Sequence, residues 1–291
     1  MRELTKAIRK GEMRLDGKIV AISGATGGIG RELCEYFAKM GATLLLVDRN
    51  PERSLSLARE LEAKHGISAE HITLDLEDIA RVREVADELA EREIDYLVLN
   101  AGAYSIPRHK CSTGYDNVFQ INFVSPYFLA RKLLPTVRER GGRVVAVGSI
   151  AHRYSHIDRA DVDFSTRKKA SLVYGNAKRH LMFALYALDP TGEGIAIAHP
   201  GITQTNITAH YPKLVYAIIK YPMKVIFMRP RKACLPIICG LFEGCRENEW
   251  IGPRIFDVWG RPKKSILKGC PPDEAAEIAK RAEKIYKELD C

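Results

Sequence analysis

The sequence predicts an α/β fold: a doubly wound parallel sheet of about seven strands with helices on both faces. Three observations predict it. Short, continuous apolar runs alternate with amphipathic helical stretches from residue 18 to about residue 200. The first run passes through a glycine-rich turn straight into a helix. Polar and turn-forming residues fall at the ends of the runs, where loops belong.

Residues 18–23 (KIVAIS) are the first strand. Gly24, Gly28 and Gly30 of GATGGIG follow, and RELCEYFAKM continues as a helix with apolar Leu33, Phe37 and Met40 on one side. Glycines let a backbone approach a pyrophosphate, and a helix N-terminus offers amide donors. The alternative is a glycine-rich turn without a ligand. Gly41 ends the helix. ATLLLVD is the second strand, ending at Asp48, 48 − 24 = 24 residues after the first glycine. A carboxylate there can accept from both ribose hydroxyls of NAD and would repel a 2′-phosphate. Arg49, next to it, could hold such a phosphate. The expectation is NAD, with NADP second.

PERSLSLARELEAKHG is a helix with Pro51 near its start and Gly66 past its end. HITLDL (71–76) is the third strand, ending at Asp75, then come a helix (DIARVREVADELAERE) and a fourth strand (IDYLVLN). The fourth strand runs into Asn100-Ala101-Gly102, at the carboxyl end where ligands bind in such sheets; a plain tight turn is the alternative. Residues 103–116 form a loop whose Arg108, His109 and Lys110 read as solvated charges. NVFQINFVSPYFLARKLLPTVRERGG is a long helical stretch, apolar on several faces, with Pro126 and Pro135 as expected kinks. Asn122 lies inside it, and a buried amide needs partners, structural or functional.

RVVAVGS is the fifth strand and ends at Ser149; residues 150–169 are a polar loop, and 170–188 a helix. GEGIAIAHPG gives a sixth strand ending at Pro200-Gly201. Residues 202–232 break the alternation with apolar runs interrupted by Lys213, Lys220 and Lys224. They fit a lid over an apolar substrate, a packing helix pair, or a membrane-surface contact through 214–228. KACLPIICGLFEGCRE is a further helix, IFDVWG (255–260) an edge strand, and 272–289 a charged C-terminal helix. The whole reads as one domain over 1–291, with a core at about 15–260.

Composition excludes several classes. The chain is 46% hydrophobic with formal charge +9, but no Lys/Arg block carries interleaved aromatics, so nucleic acid is not an expected partner. Seven cysteines without a C-x-x-C pair argue against a disulfide framework or structural zinc and for reduced thiols in a cytoplasmic setting. His152, His156 and His180 lack metal-ligand spacing and read as loop or surface residues; no metal is expected. The N-terminal residues are charged and polar, not a leader or anchor.

The chemistry gathers at Ser149, Tyr174 and Lys178. Tyr174 and Lys178 are four apart on one helix face. A free phenol titrates near pH 10 and is a poor proton carrier at neutrality. A neighbouring ammonium would lower that value. Most such pairs on helices are ordinary surface pairs; the rest of the chain is what sets this one apart.

Together these residues resemble the short-chain dehydrogenase/reductase family over about residues 15–260. The family's Thr-Gly-x-x-x-Gly-x-Gly appears as SGATGGIG, with Ser23 in place of threonine. Its Asn-Ala-Gly is at 100–102, its four catalytic positions fall on Asn122, Ser149, Tyr174 and Lys178, and its Pro-Gly is Pro200-Gly201. The Ser-to-Tyr gap, 174 − 149 = 25 residues, VGSIAH, DRADVDF and the 202–232 insertion are similar to the retinol dehydrogenase-like branch. The resemblance implies reversible hydride transfer between NAD(P) and a small lipophilic alcohol or carbonyl. Tyr174 would be acid and base, Lys178 would hold the nicotinamide ribose, Ser149 the substrate oxygen, and Asn122 a water. It implies a coenzyme site of Ser23, Gly24, Thr26, Gly28, Ile29, Gly30, Asp48, Arg49, Asp75, Leu76, Asn100, Ala101, Gly102, Tyr174, Lys178, Pro200, Gly201, Thr203 and Thr205. The apolar helices at 117–140 and 170–188 suggest a homodimer or homotetramer. Two other readings stay open: a coenzyme-binding sensor without turnover, and a peripheral membrane protein.

Overall fold

In the computed structural model the chain is described over residues 1–202, 228–267 and 269–290. Thr203, Thr205 and most of the expected lid and membrane-contact segments (202–232 and 214–228) lie outside those residues. The strands are β1 (Ile19–Ser23), β2 (Thr43–Asp48), β3 (Ala69–Thr73), β4 (Tyr96–Leu99), β5 (Arg143–Val147), β6 (Ile195–Ala198), β7 (Glu249–Ile255) and β8 (Trp259–Ile266). They form one sheet in the order β3-β2-β1-β4-β5-β6-β7-β8. All neighbours are parallel except the antiparallel pair β7–β8. The order reverses between β1 and β4, which opens a crevice at the carboxyl ends of those strands.

The helices are α1 (Arg2–Lys10), α2 (Gly28–Lys39), α3 (Pro51–His65), α4 (Ile79–Glu91), α6 (Ala170–Leu188), α7 (Pro230–Phe242) and α8 (Pro272–Leu289). Between α4 and α6 runs α5, which starts at Asn117–Phe119, passes a π turn at Gln120–Val124 and continues as Ser125–Glu139. Strand side chains divide between two cores. Ala21, Leu45 and Val47 face α4, α5, α6 and α8, while Val20, Ile22, Leu44 and Leu46 face α1, α2, α3 and α7. Both faces of the inner strands are therefore dry, which is why the strands read as continuous apolar runs.

Several boundaries differ from expectation. The sheet has eight strands, because residues 255–260 span a chain reversal rather than an edge strand. Phe256 and Asp257 take left-handed φ values of 50° and 58° there, and β8 returns antiparallel. β3 stops at Thr73, so Asp75 and Leu76 lie beyond it. Neither proline in α5 produces the irregularity by itself. Ser125 donates its N–H to Gln120, five residues back, and Pro126 then offers no N–H to the Asn122 carbonyl, so the π turn sits where the ladder is interrupted.

The apolar faces of α5 and α6, expected at an oligomer interface, are covered by α8. Phe128 packs its ring 5.2 Å from Tyr286, Tyr127 donates to Glu283 at 2.6 Å, and Arg281 donates to His180 at 3.1 Å. Those faces are satisfied within one chain and give the oligomer expectation no support. The strongest link is Arg179, fully buried, whose Nε donates to Glu274 at 2.6 Å and whose Nη1 donates to the His152 carbonyl at 3.1 Å. Glu274 also accepts the Ile157 N–H at 2.8 Å, and Arg179 holds its carboxyl below the ordinary range.

Removing one partner of a buried ion pair strands the other charge. Glu274→Ala should therefore destabilise the chain by about 3–5 kcal/mol, read as a lowered urea midpoint at unchanged m-value.

Candidate active site

β1 ends at Ser23, and the chain turns at Gly24 with φ +66°. A β-carbon on Gly24 would lie 2.9 Å from the Ala101 Cα, and one on Gly30 would overlap the Gly24 carbonyl oxygen. Only glycines let this turn fold back onto both the first turn of α2 and the loop after β4. The N-cap of α2, Gly27, offers no side-chain oxygen, so the first amides of the helix are left for an anion. The turn fits a pyrophosphate.

Asn100 staples that turn in place. Its Nδ2 donates to the Ser23 and Gly24 carbonyls, both at 3.1 Å, while Ser23 Oγ accepts from the N–H groups of Asn100 and Ala101, also at 3.1 Å. Asp48, at the tip of β2, is buried and holds the same turn from the other side. Its Oδ2 accepts from Thr26 N and Oγ1 at 2.9 Å, and its Oδ1 accepts from Asn50 N at 3.2 Å. Arg49 beside it is exposed. Beyond β3, Asp75 Oδ1 caps the Glu77 N–H at 3.0 Å, and the Leu76 carbonyl accepts Ser125 Oγ at 2.6 Å.

Ser149, Tyr174 and Lys178 come together across the carboxyl end of β5. Ser149 caps the 3-10 turn Ile150–Tyr154, accepting from Ala151 N at 3.2 Å, and its hydroxyl lies close enough to the Tyr174 phenol to lower the phenol's pKa. Tyr174 also packs edge-on against Tyr104, with centroids 5.4 Å apart. Lys178 is 2% exposed, donates to the Val147 carbonyl at 2.9 Å and lies 5.8 Å from the Tyr174 ring centroid.

The expected electrostatics are reversed. Burial pushes the Tyr174 phenol up to about 12, opposed only by the Ser149 hydroxyl. Burial also pushes the Lys178 ammonium down to about 8. The amine is turned to the Val147 carbonyl, 5.8 Å from the Tyr174 ring centroid, and desolvation is the largest influence on both groups.

Asn122 is fully buried in the π turn. Its Nδ2 donates to the carbonyls of Ala103 and Val118 at 2.8 Å, and its Oδ1 accepts Ala103 N at 3.2 Å. Both amide hydrogens are spent on the protein, so the side chain holds the loop after β4. A β-carbon on Gly102 would sit 2.8 Å from Asn122 Oδ1 and 3.7 Å from Lys178 Nζ, which places all three side by side.

Other members of the site were not legible in the sequence. His199 is buried, stacks on Trp250 with rings 5.0 Å apart and 7° from parallel, and lies 3.3 Å through Nδ1 from the Gly148 carbonyl. Burial pushes it down to about 4, so it is neutral. His152 and His180 are also buried, not loop or surface residues: His152 Nδ1 donates to the Ser149 carbonyl at 2.7 Å, and His180 sits among Phe119 and Phe123. Only His156 of the three is exposed. Gly201, at φ +82°, lets the β7–β8 reversal close on Pro200-Gly201, since a β-carbon there would lie 2.6 Å from the Val258 carbonyl oxygen.

Arg108 is not a solvated charge either: it pairs with Asp116 at 2.8 Å and donates to the Phe164 carbonyl. Glu77, His109 and Cys111 bring potential ligand atoms together. The Asn117 amide is oriented by Pro107 and His109 backbone groups, so its Nδ2 meets His109 Nδ1 as donor, and Nε2 must carry the proton facing Glu77 at 2.7 Å. That is a hydrogen-bonded pair, not a ligand set.

Comparison with known proteins agrees with this geometry. The family model described as short chain dehydrogenase matches residues 18–213. A protein of Streptomyces sp. (strain C5), inferred to be a daunorubicin C-13 ketoreductase, is 32% identical over 200 residues, covering 66% of this chain and 68% of its own. Human retinol dehydrogenase 13 is 28% identical over 207 residues, covering 67% of this chain and 62% of its own. The Pseudomonas aeruginosa RhlG/NADP active-site complex is 26% identical with a TM-score of 0.59, covering 78% of this chain and 91% of that one.

The folded chain holds Lys178 at about 8 against an ordinary 10.5, so between those values the unfolded chain binds the extra proton. The contribution of Lys178 to stability is thus most unfavourable below pH 8 and recovers as pH rises through that window. Lys178→Met should be more stable than the parent at neutral pH by up to about 3 kcal/mol, with the advantage shrinking toward pH ~10 in a thermal-melt series.

Proposed function

The chain belongs to the short-chain dehydrogenase family, within its retinol dehydrogenase-like branch, and we propose that this NAD(P)-dependent oxidoreductase interconverts the alcohol and carbonyl forms of a small lipophilic molecule. The observation that carries the reading is the meeting of Ser149, Tyr174 and Lys178 beside the glycine turn, at the carboxyl ends of β4 and β5. When bound, the nicotinamide coenzyme accepts or supplies the hydride.

The chain's own groups do the rest. Ser149 Oγ and the Tyr174 phenol hold the substrate oxygen between them. Tyr174, kept above its ordinary value by burial, retains its proton at neutral pH and is ready to donate it. In reduction the phenol gives its proton to the substrate oxygen, and in oxidation the phenolate takes it back. Lys178, still mainly charged at pH 7 and beside Gly102, would hold the ribose hydroxyls of a bound coenzyme. The Asn122 carbonyl, four residues before Pro126, is the atom we assign to a water leading toward Lys178. Its side chain has no such freedom.

NAD is the proposed preference, with NADP second. Asp48 supports it: a buried carboxylate at the tip of β2 would face a 2′-phosphate with like charge. Arg49 and the NADP of the Pseudomonas complex are the arguments for the alternative. The lipophilic substrate class rests on the names of the retinol and daunorubicin relatives. The unpaired cysteines Cys34, Cys111, Cys234, Cys239, Cys245 and Cys270 support a reducing, cytoplasmic setting.

Tyr174→Phe should lower turnover of a lipophilic carbonyl by about 10²–10⁴-fold while coenzyme affinity, by calorimetry, stays within about twofold. A parent chain with no turnover across a broad carbonyl panel would favour the sensor reading. In thermal-shift measurements at equal concentrations, NADH should raise the melting temperature more than NADPH; the opposite order would remove Asp48 from its role.

A further inference from the structure

Six large apolar side chains stand exposed among the described residues; four lie along the β7–β8 hairpin and a fifth is the sequence neighbour of Arg153, which pairs with that hairpin. Ile255 (49% exposed), Phe256 (84%), Trp259 (37%) and Ile266 (69%) lie on the β7–β8 hairpin. Tyr154 (55%) adjoins Arg153, whose guanidinium pairs at 2.9 Å with Asp257 in the hairpin's turn. Single exposed apolar residues are ordinary; a cluster of this kind marks an interaction surface.

The same hairpin is basic. Between residues 254 and 263 it carries Arg254, Arg261 and Lys263 against one carboxylate, Asp257, while Lys264 pairs with Glu243 at 3.4 Å. Arg153, Arg254 and Lys263 line a cavity of about 580 Å³ whose apolar wall includes Phe256 and Ile266. The surface therefore pairs apolar protrusion with positive charge.

That combination selects among occupants. A second copy meeting this face across a two-fold axis would bring its own Arg254, Arg261 and Lys263 against these three. An anionic lipid bilayer satisfies both features at once: aromatic and aliphatic tips enter the headgroup boundary while cations meet phosphates. No described helix is long and apolar enough to cross a membrane.

We propose that the β7–β8 hairpin docks the chain peripherally on an anionic bilayer. Phe256, Trp259 and Ile266 enter the boundary, and Arg254, Arg261 and Lys263 meet lipid headgroups. The hairpin's turn closes on Gly201, and Arg153 belongs to the turn that Ser149 caps, so the docked face adjoins the candidate active site. On the proposed reaction, a lipophilic substrate would reach the site from the membrane side.

Vesicle co-sedimentation of the full chain tests this without turnover, so its outcome is independent of the proposed reaction. The chain should sediment with phosphatidylcholine–phosphatidylserine vesicles at low salt, be released at high salt, and bind phosphatidylcholine alone about tenfold less. Phe256→Ser, and separately Arg254→Gln with Lys263→Gln, should each cut the bound fraction about fivefold with an unchanged melting temperature. No sedimentation with anionic vesicles, or undiminished binding by both variants, overturns the proposal. So does a concentration-dependent dimer abolished by Phe256→Ser, which would assign the face to a second copy.

Discussion

Two carboxamides fix the spacing on which the candidate site depends. Asn100 fastens the loop after β4 to the glycine turn, and Asn122 fastens the same loop to the π turn of α5. Gly102, between them, brings that loop against Lys178. The nucleotide-binding turn and the proton-transfer helix come from distant parts of the sheet. They share one short segment, and that segment is held at both ends by side-chain amides, Asn122 fully buried and Asn100 half-buried. A buried amide left without partners is costly, so each staple holds only while all its bonds are made.

Burial then decides the electrostatics. The sequence places a phenol and an amine four residues apart, and in water the charge would govern the phenol. In the folded chain both groups are desolvated, so each is pushed toward its neutral form. Holding an amine in such a place destabilises the fold, and among the described residues its hydrogen bond goes to the Val147 carbonyl. A site that binds diol-bearing ligands through that amine trades stability for pre-organisation.

What was legible in the sequence was local. Glycines at Gly24 and Gly30, the carboxylate closing β2, Asn100-Ala101-Gly102 and the Tyr174–Lys178 spacing are read within single turns, and the fold carries them where they were expected. What depended on distant segments was not legible. Trp250 meets His199 only because β7 pairs with β6, and Arg179 meets Glu274 only because α8 returns across α6. His152 and His180 read as surface residues because a histidine beside charged neighbours carries no sign of burial; tertiary packing supplied it. Thr203 and Thr205 lie outside the described residues.

The C-terminal helix has a consequence of its own. By covering α5 and α6 it does for this chain what a neighbouring subunit could do for a protein lacking such a tail. The stiffness of the helix bearing Tyr174 and Lys178 is then an intramolecular property. An appendage joined after residue 290 would sit at the end of the helix that packs on both α5 and α6.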